Sequence, residues 1–517
     1  MSLWRNVFTV GGLTMISRFL GLVRDMVTAA YLGATPLADA VFVAFRLPNL
    51  FRSLFAEGAF SIAFVPKFSE ILQQRGREHA ILFAEHSFAL LSTILVLFVI
   101  AGEFLMPYIM RVIAPGFGDD PAQFADVVTF SRITFPYILL MSLVALQGGI
   151  LNALDKFYAF AASPCLMNVV MIVALFVLTP VLPNAGHAFA WGVIASGFAQ
   201  YGWMAYAIRA EKIHLRWRPP QLSPELRAML RAVAPAAIGS GALQVNILIG
   251  VMIGSFLPDG SISYLYYADR INQFPLGVVG IAVGTVLLPV LSRAIAQNDL
   301  PAAIDKQNRG IELSLLLSIP ATAALLVIPL PVIEVLFMRG AFDANVAVQT
   351  AHALSAFALG LPAYVLIKAL SPAFFARGDT KTPVKIAFFS VALNTLLNLL
   401  LIGLLGHVGI ALGTSIASWV NAIMLAMALK SRGHWRIDAQ LRRRAIRIFA
   451  ASTLMAAAVY GMQIMLEPWL ADHFGHKLWA LMAMVLGGIA IYAVLVLALR
   501  AVDRDDLAQL RRIPRQK

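Results

Sequence analysis

The sequence predicts an all-α polytopic membrane protein of about fourteen transmembrane helices, and three observations predict it. Charged residues make up 13% of the 517 positions and hydrophobic residues 60%, and a soluble domain carries about 25% charged residues. The apolar stretches run about 20 residues or longer, as membrane helices do, instead of alternating over about ten as barrel strands do. Lys and Arg crowd into every second loop.

In chain order, and bounded by Pro, Gly and charge clusters, the apolar segments are 5–31, 37–68, 81–113, 122–152, 158–182, 187–210, 228–256, 262–292, 310–337, 346–375, 383–405, 408–430, 445–469 and 477–501. Val7–Val23 is too long for a secretory signal and lacks a small-residue cleavage site, so it reads as a retained first helix. The loops test the series. One set holds Lys67, Arg75 and Arg77, then Lys156, then Arg209 to Arg231, then Arg293 to Arg309. It continues with Arg377, Lys381 and Lys385, then Lys430 to Arg447, and ends in a basic tail after Arg504. The intervening loops hold almost no cations, with Arg339 and Lys477 as exceptions. By the positive-inside rule both termini are cytoplasmic, in a multi-pass protein of the bacterial inner membrane.

The same alternation accounts for the net charge of +13, which in a soluble protein would suggest nucleic acid; no nucleic-acid partner is expected. Cys165 is the sole cysteine and reads as packing.

An internal repeat runs through the chain. Pro107 to Gly116-Phe117 resembles Pro331 to Gly340-Ala-Phe342 at an offset of 224, and Phe135-Pro136-Tyr137 resembles Leu361-Pro362-Ala363-Tyr364. Ala38-Asp39 and Ala268-Asp269 open similar stretches that end in Val65-Pro66 and Leu288-Pro289. An offset spanning six helices preserves orientation, so the plan is two pseudo-symmetric six-helix lobes, a transporter arrangement with its substrate site between repeats. The expected domains are an N-lobe over 1–220, a C-lobe over 221–435 and two extra helices with a basic tail over 436–517.

The functional signal is charge inside these helices. The first reads Ser17-Arg18 through Arg24-Asp25, the second carries Asp39, Arg46, Asn49 and Arg52, and the eighth carries Asp269-Arg270 after Ser263. A central Arg costs about 2.5–3.5 kcal/mol on insertion scales. Local pairing is the plainer reading: Arg24 with Asp25, Arg46 with Asp39 seven residues away, Arg270 with Asp269. It leaves Arg18 and Arg52 unexplained. Cation excess beside neutral donors suits a phosphate-bearing ligand, to which Arg presents a planar fork. Pro48, Gly11-Gly12, Gly21, Pro275, Gly277, Gly280 and Gly284 predict bends or close backbone approach.

Asn394 and Asn398 share a helix face and are weak candidates for an ion site, although interhelical hydrogen bonding is the commoner use of such residues. No metal cluster stands out, and Gly378-Asp-Thr-Lys-Thr382 lacks the first glycine of a phosphate-binding loop. No cofactor and no catalytic set is expected.

At these residues the sequence resembles the MurJ/MviN family, the lipid II flippases of the multidrug/oligosaccharidyl-lipid/polysaccharide exporter superfamily. The matching stretches are Ser17-Arg18 to Asp25, Ala38-Asp39 through Arg46-Leu-Pro48-Asn49 and Arg52 to Glu57-Gly58, Phe64 to Phe68, and Tyr266-Tyr267-Ala-Asp269-Arg270 to Pro275-Leu-Gly277. The resemblance covers essentially the whole chain. It implies export of undecaprenyl-pyrophosphate-linked peptidoglycan precursor, or a similar polyprenyl-pyrophosphate lipid, across the bilayer by alternating access, with cell-wall synthesis proteins as possible associates. It maps pyrophosphate contacts onto Arg18, Arg24, Arg52 and Arg270, supporting polar positions onto Ser17, Asp39, Asn49 and Ser263, and a groove for the lipid tail onto 445–501. Gln273 stands where an acidic residue is expected in relatives. The rival readings are a flippase for another polyprenyl-linked saccharide, an ion-coupled multidrug exporter, which predicts acidic rather than arginine-rich interior residues, and a membrane scaffold for cell-wall enzymes.

Overall fold

The computed structural model describes residues 3–51, 60–219, 223–470 and 474–502. The chain divides into two compact units, Met1–Ser263 with Arg339–Phe342, and Tyr264–Met338 with Asp343–Lys517.

The first unit contains α1 (Leu3–Leu32), α2 (Pro36–Phe51), α3 (Phe60–Arg75), α4 (Arg77–Ile113), α5 (Pro121–Thr134), α6 (Tyr137–Ala153), α7 (Tyr158–Leu178), α8 (Ala185–Ala210) and α9 (Pro224–Gly254). Helix starts follow local chemistry: the Asp120 side chain accepts from Ala122 and Gln123 N–H ahead of Pro121, and Ser223 accepts from Leu226 N–H ahead of Pro224. The most enclosed span is Pro121–Ala153, broken at Phe135-Pro136 into α5 and α6. Stacked Phe64, Phe68 and Phe83 form the heart of its core beside Leu146 and Ile150. Helix α9, which the repeat assigns to the second lobe, groups with the first unit because it packs on α3 and α4.

The repeated loop glycines are explained here. A Cβ on Gly116 would lie 2.1 Å from the Ser255 carbonyl oxygen, and one on Gly340 would lie 2.3 Å from the Ala30 carbonyl oxygen. Gly340 also has φ +56°, which disfavours a side chain. Beside it, Ala341 N–H donates to the Ala30 carbonyl at 2.8 Å.

The second unit begins within α10 (Ser261–Ala296) and continues through α11 (Leu300–Val327), α12 (Pro329–Phe337), α13 (Ala344–Ala358), α14 (Leu361–Phe375), α15 (Lys381–Leu405), α16 (His407–Ser431), α17 (Ala439–Met465), α18 (Glu467–Leu470) and α19 (Phe474–Ala498). Its centre repeats the first: Ala344–Phe375 is well enclosed and is broken between α13 and α14. Helices α17 and α19 lie against α11 through Ile448, Ala451 and Val496, and Tyr492 donates to the Leu316 carbonyl at 2.7 Å. An ion network adds to this attachment. Glu312 accepts from Arg309 and from Arg444, both Glu312 and Arg444 are buried, and Arg309 also reaches Asp438.

Among the described residues nine helical spans are long and apolar enough to cross a membrane. The other five sequence segments fold as α1, α2 with α3, α8, α9 and α10. Pro275 and Pro289 lie inside α10, which is one continuous helix of 36 residues.

Candidate functional site

On α1, Arg24 Nε and Nη2 donate to Asp25 Oδ1 at 3.0 and 2.7 Å, and Nη1 donates to Asn168 Oδ1 on α7 at 3.1 Å. Asn168 Nδ2 donates in turn to the Ser17 carbonyl at 3.0 Å. One amide therefore spans two turns of α1, fixing the Arg24 guanidinium while tying down the backbone at Ser17. Arg24 and Asp25 are 7% and 3% exposed, so the pair offsets a charge that would be costly to bury alone. The adjacent pairing expected from sequence is present, and Asn168, the one amide side chain in apolar α7, is the partner that sequence reading missed.

Arg18 is half-buried and has no hydrogen bond or ion pair among the described residues. Arg52 lies outside the described residues. Asn49 Nδ2 donates to the Phe45 carbonyl of its own helix at 3.1 Å.

Asp39 is 2% exposed and accepts three hydrogen bonds: from Gly260 N–H at 2.7 Å, Ser263 N–H at 2.8 Å and Ser263 Oγ at 2.5 Å. It caps the first turn of α10, where unsatisfied N–H groups and the helix dipole favour a carboxylate. The expected Asp39–Arg46 pair does not form, because backbone and hydroxyl donors take the carboxylate. Ser263 is fully buried in this cap.

On α10 Arg270 Nη2 donates to the Tyr266 hydroxyl at 3.2 Å, and its guanidinium lies 4.8 Å from that ring's centroid, a cation–π arrangement. Asp269 turns instead to Gln273, whose amide donates to its Oδ2. The neutral residue at 273 thus engages the carboxylate beside Arg270. Of the flagged glycines, Gly11, Gly12 and Gly284 have nothing within 4 Å of a built Cβ, and Gly21 would make ordinary contact with Asn168. Gly280 differs: its Cβ would fall 2.7 Å from Lys368 Cδ and 2.9 Å from Nζ. Lys368 is the second residue that sequence reading passed over, although it is the one charge within α14.

Asn394 and Asn398 are buried on α15. Thr414 Oγ1 donates to Asn394 Oδ1 at 3.4 Å, joining α15 to α16, and Asn398 Oδ1 packs against Gly413. Among the described residues no cluster of three His, Cys, Asp or Glu could hold a metal.

Comparison with known proteins adds to this geometry. The family profile described as "Lipid II flippase MurJ" matches residues 28–490. A relative from Rhizobium meliloti (strain 1021), named "Probable lipid II flippase MurJ", is 46% identical over 464 residues, 89% of this chain and 86% of that protein. A solved structure titled "Lipid II flippase MurJ, inward closed conformation" superposes with a TM-score of 0.79 at 26% identity, covering 95% of this chain and 98% of that one. An inward-facing multidrug resistance MATE family transporter of the MOP superfamily shares the fold, with a TM-score of 0.70 at 15% identity over 82% of this chain and 98% of that one. A multi-pass helical chain with arginines retained in its spans, matched over nearly its whole length, belongs to the lipid II flippase MurJ family.

Proposed function

We propose that this chain flips lipid II from the cytoplasmic to the periplasmic leaflet of the bacterial inner membrane by alternating access, with both termini cytoplasmic. The observation that carries the reading is the family match across residues 28–490. The retained membrane cations support it.

In this reading Arg18, Arg52 and Arg270 contact the pyrophosphate, and Arg24 contributes while held by Asp25 and Asn168. Ser17 and Asn49 are neutral donors nearby in sequence. Asp39 and Ser263 act by organising the start of α10. Arginine suits this work because its planar fork matches phosphate oxygens and it stays charged at membrane depth. The membrane potential assists, since moving an anion outward across an inside-negative bilayer yields about 2.3 kcal/mol per charge per 100 mV. The α17–α19 pair carries the tail groove. Cell-wall synthesis proteins are proposed associates.

The test reads externally accessible lipid II in cells depleted of the native protein and complemented with variants. Wild type restores accessibility. Arg18→Ala and Arg270→Ala, inserted at normal abundance, do not. Normal accessibility in depleted cells would refute lipid II as the substrate.

A further inference from the structure

Two buried glutamates outside the arginine site stand at matching places in the repeat. Glu85 on α4 and Glu312 on α11 are 4% and 6% exposed. They lie 227 residues apart, close to the offset of 224 between Pro107 and Pro331. Each belongs to the third apolar segment of its half, and each binds the chain that departs from the sixth.

In the first unit Glu85 Oε1 accepts from Arg216 N–H at 3.1 Å, and Oε2 accepts from Arg218 Nε at 2.6 Å. The same stretch is tied down at Glu211, whose carbonyl accepts from Arg77 and whose carboxylate pairs with Lys156 at 2.8 Å. Between these ties Ile213 is buried in the core. The next helix, α9, begins with Glu225 paired to Arg75 at 2.8 Å. In the second unit Glu312 accepts from Arg444 and from Arg309, and Arg309 reaches Asp438 at the start of α17. Asn308, one turn earlier on α11, donates to the Arg436 carbonyl at 3.1 Å and accepts from Trp435 Nε1 at 2.7 Å. The sign order is the same in both halves, with the carboxylate on the helix and an arginine on the departing chain. In the first unit one carboxylate oxygen also takes a backbone N–H, a bond that only an acceptor can make. Opening such a pair leaves a buried charge uncompensated, so the clasp resists parting.

We infer that Glu85 and Glu312 are positioning residues for transport, one device used twice. Each pins the chain leaving the sixth segment of its half to the third, and so fixes where the following helix, α9 or α17, begins. The inference rests on the flippase reading, in which α17 opens the pair that carries the tail groove. It also accounts for the grouping of α9 with the first unit, although the repeat assigns that helix to the second lobe.

The test uses the full chain, with hydrogen exchange read in nanodiscs and externally accessible lipid II read in depleted cells. Glu85→Ala exchanges the amides of 213–218 about tenfold faster than wild type, leaves 434–441 protected and lowers accessible lipid II. Glu312→Gln loosens 434–441, leaves 213–218 protected and also lowers accessible lipid II. Arg218→Ala removes only the exposed partner, so it reports where Glu85→Ala fails to fold. It melts like wild type yet loosens 213–218 and lowers accessibility, and Arg218→Lys restores both. Combining Glu85→Ala with Arg218→Ala loosens the stretch no further than Glu85→Ala alone, because the two act through one contact. If either glutamate's loss leaves its own stretch as protected as in wild type, the clasp falls. If Arg218→Ala or Glu312→Gln loosens its stretch while accessible lipid II is fully restored, the positioning role falls and the flippase reading stands. If wild type itself restores no accessible lipid II, that reading falls and the positioning role with it.

Discussion

Helices α1 and α9 open the two halves of the repeat, yet they differ in charge. Helix α1 carries Arg18, Arg24 and Asp25 within its apolar length, whereas no charged residue occurs between Arg231 and Asp259 around α9. The repeat builds the apolar length of its opening helix, after Arg231, without ionisable residues in one half, so the fold does not require them in the other. The charges of α1 add an insertion cost of about 2.5–3.5 kcal/mol per arginine, offset for Arg24 by Asp25 and Asn168 but not for Arg18 by any described partner. In the proposed function, that asymmetry serves the ligand.

The loop ion pairs teach the converse. In the first unit Lys156 after α6 pairs with Glu211 after α8 at 2.8 Å; in the second Asp379 after α14 pairs with Arg432 after α16 at 2.5 Å. The position of the clasp is repeated and its polarity reversed. Where charge serves only to hold two loops, either sign order works.

The largest effect expected from breaking this contrast lies where charge is structural and buried. Glu312→Ala leaves Arg444 buried without its carboxylate and destabilises the second unit by about 3–5 kcal/mol, read as a lowered melting temperature in detergent. Asp39→Ala removes three hydrogen bonds from the start of α10 and costs about 2–3 kcal/mol, while Asp39→Asn, which keeps one acceptor, costs less. Hydrogen exchange at residues 260–263 follows the same order.

Asn168→Ala sharpens the α1 side of the comparison. It removes one acceptor from Arg24 and costs about 1–2 kcal/mol, measurable by chemical denaturation, and it lowers flipping by loosening Arg24 rather than removing it. Lys156→Glu is smaller still, at about 0.2–1 kcal/mol for a solvent-exposed pair. The reversed pair Lys156→Glu with Glu211→Lys restores stability, as the second unit's polarity implies.

Acid gives the smallest response. The Thr382 hydroxyl, the Arg432 guanidinium and Thr382 N–H hold the Asp379 carboxyl well below the usual carboxylate range. A depressed folded-state value contributes stability that is present above the unfolded value of about 3.9 and lost only as pH falls toward the folded one. Protection of the 376–382 amides, after correction for the intrinsic pH dependence of exchange, therefore stays unchanged between pH 7 and 5.

Much of the fold was legible because a bilayer imposes length, apolarity and loop-charge rules that act locally. The Arg24–Asp25 pair was read from neighbours in sequence; the break at Phe135-Pro136, inside the segment expected over 122–152, and the caps at Asp120 and Ser223 have equally local causes but were not read. Partners distant in sequence were not legible. Asp39 finds Gly260 and Ser263 rather than Arg46, and Arg24 finds Asn168. The space at Gly280 has its reason in Lys368. Spacing along one helix shows which residues share a face, but the face it meets is set by packing.

The central claim is that the α1 arginine without a local carboxylate serves the substrate. Leaflet accessibility of lipid II in depleted cells carrying wild type or Arg18→Ala tests it most directly. The account predicts that accessible lipid II collapses on depletion and returns with wild type but not with Arg18→Ala, at equal protein abundance. Full restoration by Arg18→Ala would contradict it.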